Sequence, residues 1–548
     1  MSTIQESLNE YKRWLDNTEE GTSLHNQLIA LAENQEELVE SFYKSLVFGT
    51  SGIRGIIGAG TNRINSLVVR RTTIGLAEYL KSRYLTPSVV IAYDSRKYSK
   101  EFAQLTARVL SGKGIKTYIF SELTPVSVLS YAIGRLECTM GVMITASHNP
   151  KIFNGYKVYN SKGYQVVGSV PDEILEEINR VDYFDIPPES EDNITVLGGT
   201  IGEEFIEKVC EMMPVILEND VMADIRLVYT PLNGTGGKYV KEIFRRLGFS
   251  DVVRVPAQDY PDEDFTTCPV PNPEKLTAYK EGLRIMDQYG GDIVIATDPD
   301  SDRVGAAIMH KGMKTSISGN QLGILMLDFL CQFRDIEEGR FIMKSIVTTP
   351  LAESIARDYG IKTVNTLTGF KYIGEKIADL MEEGQENRFF MGLEESNGFL
   401  MDPFIRDKDG VSSAVIIALM AAYHKSQGKD LLDRLDEIYS QYGLCFDRTK
   451  NYVYEGRQGV DTMNHIMEYF RKDVGEKLGG QRILSRMDYL IDNTGLPKSN
   501  VIELHFEDGT TVIIRPSGTE PKMKVYMFLT DVNSKVEEAV EKVMKSFY

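Results

Sequence analysis

No run of apolar residues in this 548-residue sequence approaches the length needed to cross a bilayer, and the opening MSTIQESLNEYKRWLDN holds no apolar segment of the kind a secretory leader requires. The sequence therefore predicts a soluble protein that is not exported. Cysteine is scarce: Cys138, Cys210, Cys268, Cys331 and Cys445 are odd in number, far apart and never in a C-x-x-C pair. They read as reduced thiols in a cytoplasmic protein. Positive charge is short as well, with 61 Lys and Arg against 79 Asp and Glu, a formal net charge of −18. A field of that sign repels nucleic acid and anionic membranes. A small phosphorylated ligand stays compatible if cations gather locally.

Two familiar patterns are missing too. The run NGTGGK from Asn233 to Lys238 suggests a nucleotide loop, but a Walker motif needs Gly at 232 and Ser or Thr at 239, where this chain has Leu232 and Tyr239. The histidines His25, His310, His424, His465 and His505 show no metal-ligand spacing and read as surface or structural. Only His148 has a suggestive neighbourhood.

What is present is enough for several cores: 42% of residues are hydrophobic and 26% charged, and the length implies roughly three to five domains. Residues 1 to about 45 are polar and helix-prone, with Leu8, Tyr11 and Leu15 roughly on one face. The pattern that follows is one of short β-branched strands separated by amphipathic helices, the mark of parallel α/β units, and it occurs three times. The units end in the strands TMGVMIT, DIVIAT and RFFMGLE, which empty into the polar loops ASHNPKIFNG, DPDSDRVG and ESNGFLMD. Ligands of open parallel sheets gather outside the carboxyl ends of strands, so each unit offers one loop to a shared cleft. The last hundred residues read as antiparallel strands, VIELHF, TVIIRP and MKVYMFL, closed by a helix with Val532, Val536, Val540, Val543 and Phe547 on one face. The division expected is 1–200, 201–315, 316–440 and 441–548.

Four segments carry candidate chemistry. In TASHNP, Ser147 is expected exposed on a loop at a strand end, where a serine can be a nucleophile or phosphate carrier. Taken alone, S-H-N-P is more often an ordinary turn. Ten residues on, Lys157 adds an amine able to trade protons with a sugar hydroxyl, although a lysine at a strand edge is usually just solvated. In DPDSDR, Asp298, Asp300 and Asp302 repel one another unless they converge on something positive. A calcium loop fails, because its sixth position, a glycine, is Arg303 and its twelfth, a Glu, is Met309; a hard divalent ion with room for a phosphate oxygen suits magnesium. The alternative is a solvated acidic turn. In RPSGT, Arg515, two hydroxyls and Gly-enabled amides can wrap a phosphate, with Lys522 and Lys524 nearby; a plain basic loop is the alternative. The glycine-rich FGTSGIRG bears Arg54, a candidate clamp for a reacting phosphoryl group.

Together and in this order, FGTSGIRG, TASHNP, DPDSDR, MGLEES (Met391 to Ser396) and RPSGTEP resemble the α-D-phosphohexomutase superfamily over nearly the whole chain. GTNRIN, TPLNGTG, PNPE and TLTGFKYIGEKI look like the branch of bacterial phosphoglucomutases and animal phosphoglucomutase-2 and phosphopentomutase-like enzymes. The resemblance implies a heart-shaped α/β enzyme with three mixed α/β domains and a smaller C-terminal α+β domain around a central cleft. It implies Ser147 as phosphoserine and, with its phosphate, a ligand of Mg2+ beside Asp298, Asp300 and Asp302. Arg303 and Arg54 would face the transferring group, with His148 beside them, and Lys157 would be a general acid/base. Glu394, Ser396, Gly369 and Lys371 would bind the sugar, and Arg515, Ser517, Gly518, Thr519 and Lys524 the phosphate that is not reacting.

The implied reaction interconverts α-D-glucose 1-phosphate and glucose 6-phosphate through glucose 1,6-bisphosphate, with mannose or pentose phosphates as alternative substrates. The partners implied are small sugar phosphates, neither nucleic acid nor membrane, and the expected state is a monomer. A noncatalytic sugar-phosphate-binding scaffold is disfavoured by retention of the serine, the three aspartates and Arg515. The chain departs from many relatives in the sugar loop, where L-E-E-S-N-G-F replaces G-E-x-S-G-H, so the histidine those enzymes place there is absent.

Overall fold

A computed structural model describes residues 2–49, 52–213, 219–454, 456–517, 522–532 and 534–547. Three amphipathic helices, Ser2–Asn17, Ser23–Leu31 and Gln35–Phe42, come first. Tyr11 turns inward as its spacing suggests, but the largest fully buried side chain there is Trp14, at 0% exposure, packed edge-on against Phe42 and tilted against Tyr183. An aromatic ring of that size contributes area and ring-edge geometry together, so these helices are fastened to the first sheet rather than trailing from it.

The first sheet holds β1 (Ile53–Ile56), β2 (Ser88–Tyr93), β3 (Lys116–Phe120), β4 (Met140–Ile144), β5 (Phe153–Asn160) and β6 (Ile194–Leu197), in the order β1-β5-β4-β2-β3-β6. The second holds β7 (Leu227–Thr230), β8 (Val252–Arg254), β9 (Ile293–Thr297), β10 (Val304–His310) and β11 (Met313–Ile317), ordered β11-β10-β9-β7-β8. The third holds β12 (Phe341–Ser345), β13 (Lys362–Thr366), β14 (Phe389–Glu394) and β15 (Gly398–Leu400), ordered β13-β12-β14-β15. Helices between the strands cover these sheets, as β-branched runs alternating with amphipathic ones require.

None of the three is purely parallel. The strand after each polar loop returns antiparallel to the one before it: β5 beside β4, β10 beside β9, β15 beside β14. The parallel units expected from the sequence are thus mixed, because each loop is short enough to reverse the chain without a crossover helix. The same device places the three loops at the carboxyl ends of β4, β9 and β14.

The C-terminal sheet is antiparallel throughout, with β16 (Phe446–Val453), β17 (Lys477–Leu478), β18 (Gln481–Asp488), β19 (Ile502–Phe506), β20 (Thr511–Pro516) and β21 (Lys522–Leu529) in the order β16-β21-β20-β19-β18-β17. The closing helix Lys535–Lys545 buries Val536, Val540 and Met544. Val532 lies before its first turn and is half exposed, which corrects the expected face. Ile346, Val347 and Leu367 of the third unit pack with Tyr489, Val501, Ile513, Tyr526 and Phe528, fastening the last unit to its neighbour. No helix among the described residues is long and apolar enough to cross a membrane, and the five cysteines are unpaired.

Candidate active site

Ser147 sits at the turn between β4 and β5, but it is buried, at 2% exposure, rather than exposed as its loop position suggests. The acidic loop of the second unit covers it. Its Oγ donates to Asp298 Oδ2 at 2.6 Å, with Asp302 Oδ1 at 3.3 Å and His148 Nδ1 at 3.2 Å. Asp298, Asp300 and Asp302 are 0%, 0% and 2% exposed, and one carboxylate oxygen from each lies within 4.8 Å of the other two. Three buried carboxyls at that spacing repel one another as anions unless positive charge or a proton offsets them. Asp300 Oδ1, buried, has no hydrogen-bond partner. An orphaned carboxylate oxygen inside a carboxylate cluster fits a hard divalent ion.

The electrostatics divide the trio. Burial, reinforced by Asp300 and Asp302, raises Asp298 well above the carboxylate range. Burial acts on Asp302 in the same sense, but Lys408, Lys157 and Arg303 outweigh it and hold that carboxyl well below its ordinary value. Lys157, on β5 between β1 and β4 and 5% exposed, is no solvated edge lysine. Its Nζ donates to Asp300 Oδ2 at 2.7 Å and Asp302 Oδ2 at 3.4 Å. Burial opposes its charge, but the two carboxylates prevail and keep the amine protonated above its usual value. His148 is driven the other way by burial and by Arg303 and Arg54, so its ring is neutral.

The acidic loop is braced from every side. Thr235 donates its N–H to Pro299 O at 2.9 Å and pairs its hydroxyl with Ser301 Oγ at 3.0 Å, which gives NGTGGK a structural task in place of nucleotide binding. Asn397 Nδ2 reaches Val304 O at 2.9 Å, and the N–H of Gly410 reaches Ser301 O at 2.9 Å. Arg303 pairs with Glu274 of the PNPE turn and stands 3.8 Å from Asp302 Oδ1. Arg54 lies on β1, and its Nη1 donates to Asn149 Oδ1 at 3.1 Å, two residues past the serine. Thr50 and Ser51, in the same glycine-rich segment, lie outside the described residues.

Glu394 ends β14 and accepts the N–H of Gly369 at 2.8 Å. Gly369 has a φ of 119°, a backbone that a side chain would strain, so the TGFK turn requires glycine there to reach the carboxylate. Burial raises Glu394, and burial with Glu394 as neighbour pushes Glu395 up to about 7. Ser396 is half-buried beside them. Lys371 follows the turn, its amine lowered to about 8 by burial.

Across the cleft, Arg515 of β20 is directly opposite Lys524 of β21, so both side chains leave the same face of the sheet. The N–H of Ser517 donates to Lys522 O at 2.8 Å, closing the strand pair. Burial lowers Lys524, while the Glu395 carboxylate pulls the other way. Gly518 and Thr519 lie outside the described residues.

Known proteins share this order of units. Models of phosphoglucomutase/phosphomannomutase alpha/beta/alpha domains I, II and III match residues 45–184, 203–312 and 318–442. A phosphoglucomutase of Staphylococcus aureus (strain USA300) is 36% identical over 507 residues, covering 89% of this chain and 90% of its own. The chain belongs to the phosphoglucomutase/phosphomannomutase family. Solved structures share its fold, among them a putative phosphomannomutase from Thermus thermophilus (TM-score 0.68, 22% identity, 91% of this chain and 99% of that one). A phosphoglucomutase/phosphomannomutase family protein from Burkholderia thailandensis aligns with a TM-score of 0.70 at 17% identity, covering 91% of this chain and 97% of that one.

Sequence reasoning missed Lys408. Its Nζ lies 3.3 Å from Asp302 Oδ2 and 3.4 Å from Asp407 Oδ1, with the amine over the Phe370 ring at 5.6 Å, so it joins the third unit to the acidic loop. Its place just before Asp409, the N-cap of the long apolar helix Gly410–Ser426, gave no signal of this, because the partner Asp302 comes from another unit. The Asp94–Arg96 pair, buried beneath the serine loop, was missed as well.

Proposed function

We propose that this family member interconverts α-D-glucose 1-phosphate and glucose 6-phosphate, with Ser147 as the phosphate carrier and glucose 1,6-bisphosphate as intermediate. The observation that carries the reading is the Ser147 hydroxyl held by Asp298 inside a buried cluster of three carboxylates. A nucleophile with no cation beside it would gain nothing from such a cluster. The 36% identity to an enzyme named phosphoglucomutase supports glucose as the sugar.

In the proposed cycle, phosphoserine donates to the free hydroxyl of a hexose monophosphate. The Ser147 Oγ–P bond breaks, a sugar O–P bond forms, and the proton of the attacking sugar hydroxyl ends on the released serine oxygen. The bisphosphate turns end for end and returns its other phosphate to Ser147 by the reverse exchange. Magnesium held by Asp298, Asp300, Asp302 and the phosphate of Ser147 would supply charge neutralisation to the transferring group. Arg303 and Arg54 flank that group, and neutral His148 orients the serine hydroxyl. Lys157, held as an ammonium, acts as acid to the departing sugar oxygen. Glu394 and Ser396 take ring hydroxyls, and Gly369 and Lys371 set the sugar loop. Arg515, Ser517, Gly518, Thr519 and Lys524 hold the non-reacting phosphate, a task suited to charge and amides because either end of the intermediate must fit. We propose that the enzyme works as a cytoplasmic monomer.

Comparison of turnover on glucose 1-phosphate, mannose 1-phosphate and ribose 1-phosphate with magnesium tests this reading. Preference for glucose 1-phosphate supports it; preference for either other sugar transfers the assignment to phosphomannomutase or phosphopentomutase, and no turnover on any of the three contradicts it.

A further inference from the structure

Ser147 has a φ of 50°, in the left-handed region that a residue with a Cβ seldom enters unless its surroundings hold it there. Two fully buried side chains supply that hold. Arg96 spends its terminal nitrogens on four backbone carbonyls of the serine loop. Its Nη1 donates to Pro150 O at 3.0 Å and Phe153 O at 3.1 Å, and its Nη2 donates to Ser147 O and, at 2.5 Å, to Asn149 O. Asp94 Oδ2 stands 3.3 Å from Arg96 Nε and accepts the Thr145 hydroxyl at 2.6 Å. The Thr145 oxygen in turn accepts the N–H of Ser147 at 2.8 Å. Both backbone polar groups of Ser147 are therefore tied to this one ion pair, the carbonyl directly and the N–H through Thr145. The Phe265 ring of the second unit lies 5.1 Å from the guanidinium carbon and roofs it.

An ordinary turn of S-H-N-P composition satisfies its carbonyls with water and its own amides. Burying a guanidinium under it is costly unless its donors are filled and a counter-charge is at hand; here the terminal nitrogens are filled and Asp94 supplies the counter-charge to Nε, which itself makes no hydrogen bond. A planar fork fixes direction as well as distance. The same ion pair thus sets the direction in which the Ser147 side chain leaves the backbone.

We propose that Asp94 and Arg96 are positioning residues for phosphoryl transfer: they aim Ser147 Oγ into the acidic cluster while touching no substrate atom. This rests on the reading of Ser147 as phosphate carrier. In the step concerned, the Ser147 Oγ–P bond forms as a sugar O–P bond of the bisphosphate breaks, and the serine proton ends on the released sugar hydroxyl. Alignment governs such a transfer, so the loss falls on the chemical step and not on binding at Arg515 and Lys524.

The test mixes dephosphorylated enzyme with glucose 1,6-bisphosphate and magnesium and follows phosphate on Ser147 by quenched-flow mass analysis. Arg96→Lys keeps the charge opposite Asp94 but cannot serve four carbonyls, and Thr145→Val removes the link to the Ser147 N–H with no change of charge. The expected result is phosphorylation slowed about 10- to 100-fold in Arg96→Lys and about tenfold in Thr145→Val, as loss of alignment costs. The affinity of both for glucose 6-phosphate, by calorimetry, is expected to stay within about twofold, a split that general loosening of the fold would not give. Wild-type rates in either folded variant overturn the proposal, as does an equal loss of affinity and rate; if Arg96→Lys does not fold, Thr145→Val decides alone. Wild-type enzyme that takes no phosphate on Ser147 overturns the carrier reading and this proposal with it.

Discussion

Ser147 Oγ and Asp298 Oδ2 stand 2.6 Å apart although 151 positions separate them in the chain, so the serine loop of the first unit and the acidic loop of the second form one structure. Lys157 and Lys408 complete it, one from β5 and one from the third unit, each within 3.4 Å of Asp302 Oδ2. Arg303, 3.8 Å from Asp302 Oδ1, adds a third positive charge but shares it with Glu274, and Asp300 Oδ1 is left without a partner, which gives a divalent ion a place to bind.

Asp300→Asn is expected to preserve the fold and to lower turnover about 100-fold or more, because it removes charge beside the orphaned Oδ1 that a cation would take. Circular dichroism checks the fold, and magnesium titration of activity checks the cause. Near-normal turnover with an unchanged magnesium requirement would show that the carboxylates serve the fold alone.

Arg515→Ala is expected to raise KM for hexose monophosphates and to lower kcat, each by roughly tenfold, since the non-reacting phosphate supplies binding energy that orients the reacting end. Lys524, opposite it across the strand pair, stays in place, so the loss should be partial. Steady-state kinetics decide, and unchanged constants would move the phosphate site away from β20 and β21.

Glu395 gives a pH dependence with a definite sign. Burial and Glu394 raise it from 4.5 to about 7, so the folded state binds a proton that the unfolded chain has released between those values. Its stabilising contribution is whole below about pH 4.5 and disappears as pH climbs through 7. Glu395→Gln, which keeps a polar group beside Ser345 Oγ, should therefore gain stability relative to wild type across that window, on the order of 1–2 kcal/mol after allowance for solvent screening. Urea midpoints at about pH 4.5, 6 and 8 measure it, and a difference constant with pH would refute the shift.

The three α/β units and their polar loops were legible in the sequence because β-branched runs, amphipathic helices and clustered turn residues are local signals. The strands β16 and β18 were not: FDRTKNYV and QRILSRMD leave most side chains half or fully exposed, so no apolar alternation marks them. In the site, Asp298, Asp300 and Asp302 announce themselves by spacing. Lys408 and Arg96 do not, because what makes them special is a partner supplied by folding, Asp302 for the one and the carbonyls of Ser147 to Phe153 for the other. The burial of Ser147 was illegible for the same reason: its cover comes from another unit.

The central claim is that Ser147 carries phosphate in the working enzyme, and peptide mass mapping tests it most directly. Purified protein should contain one phosphate, on Ser147, in at least part of the population. Dephosphorylated enzyme should be nearly inactive until a trace of glucose 1,6-bisphosphate restores both phosphate and turnover, and Ser147→Ala should not be restored. Phosphate mapped to another residue, or wild-type turnover in Ser147→Ala, would contradict the account.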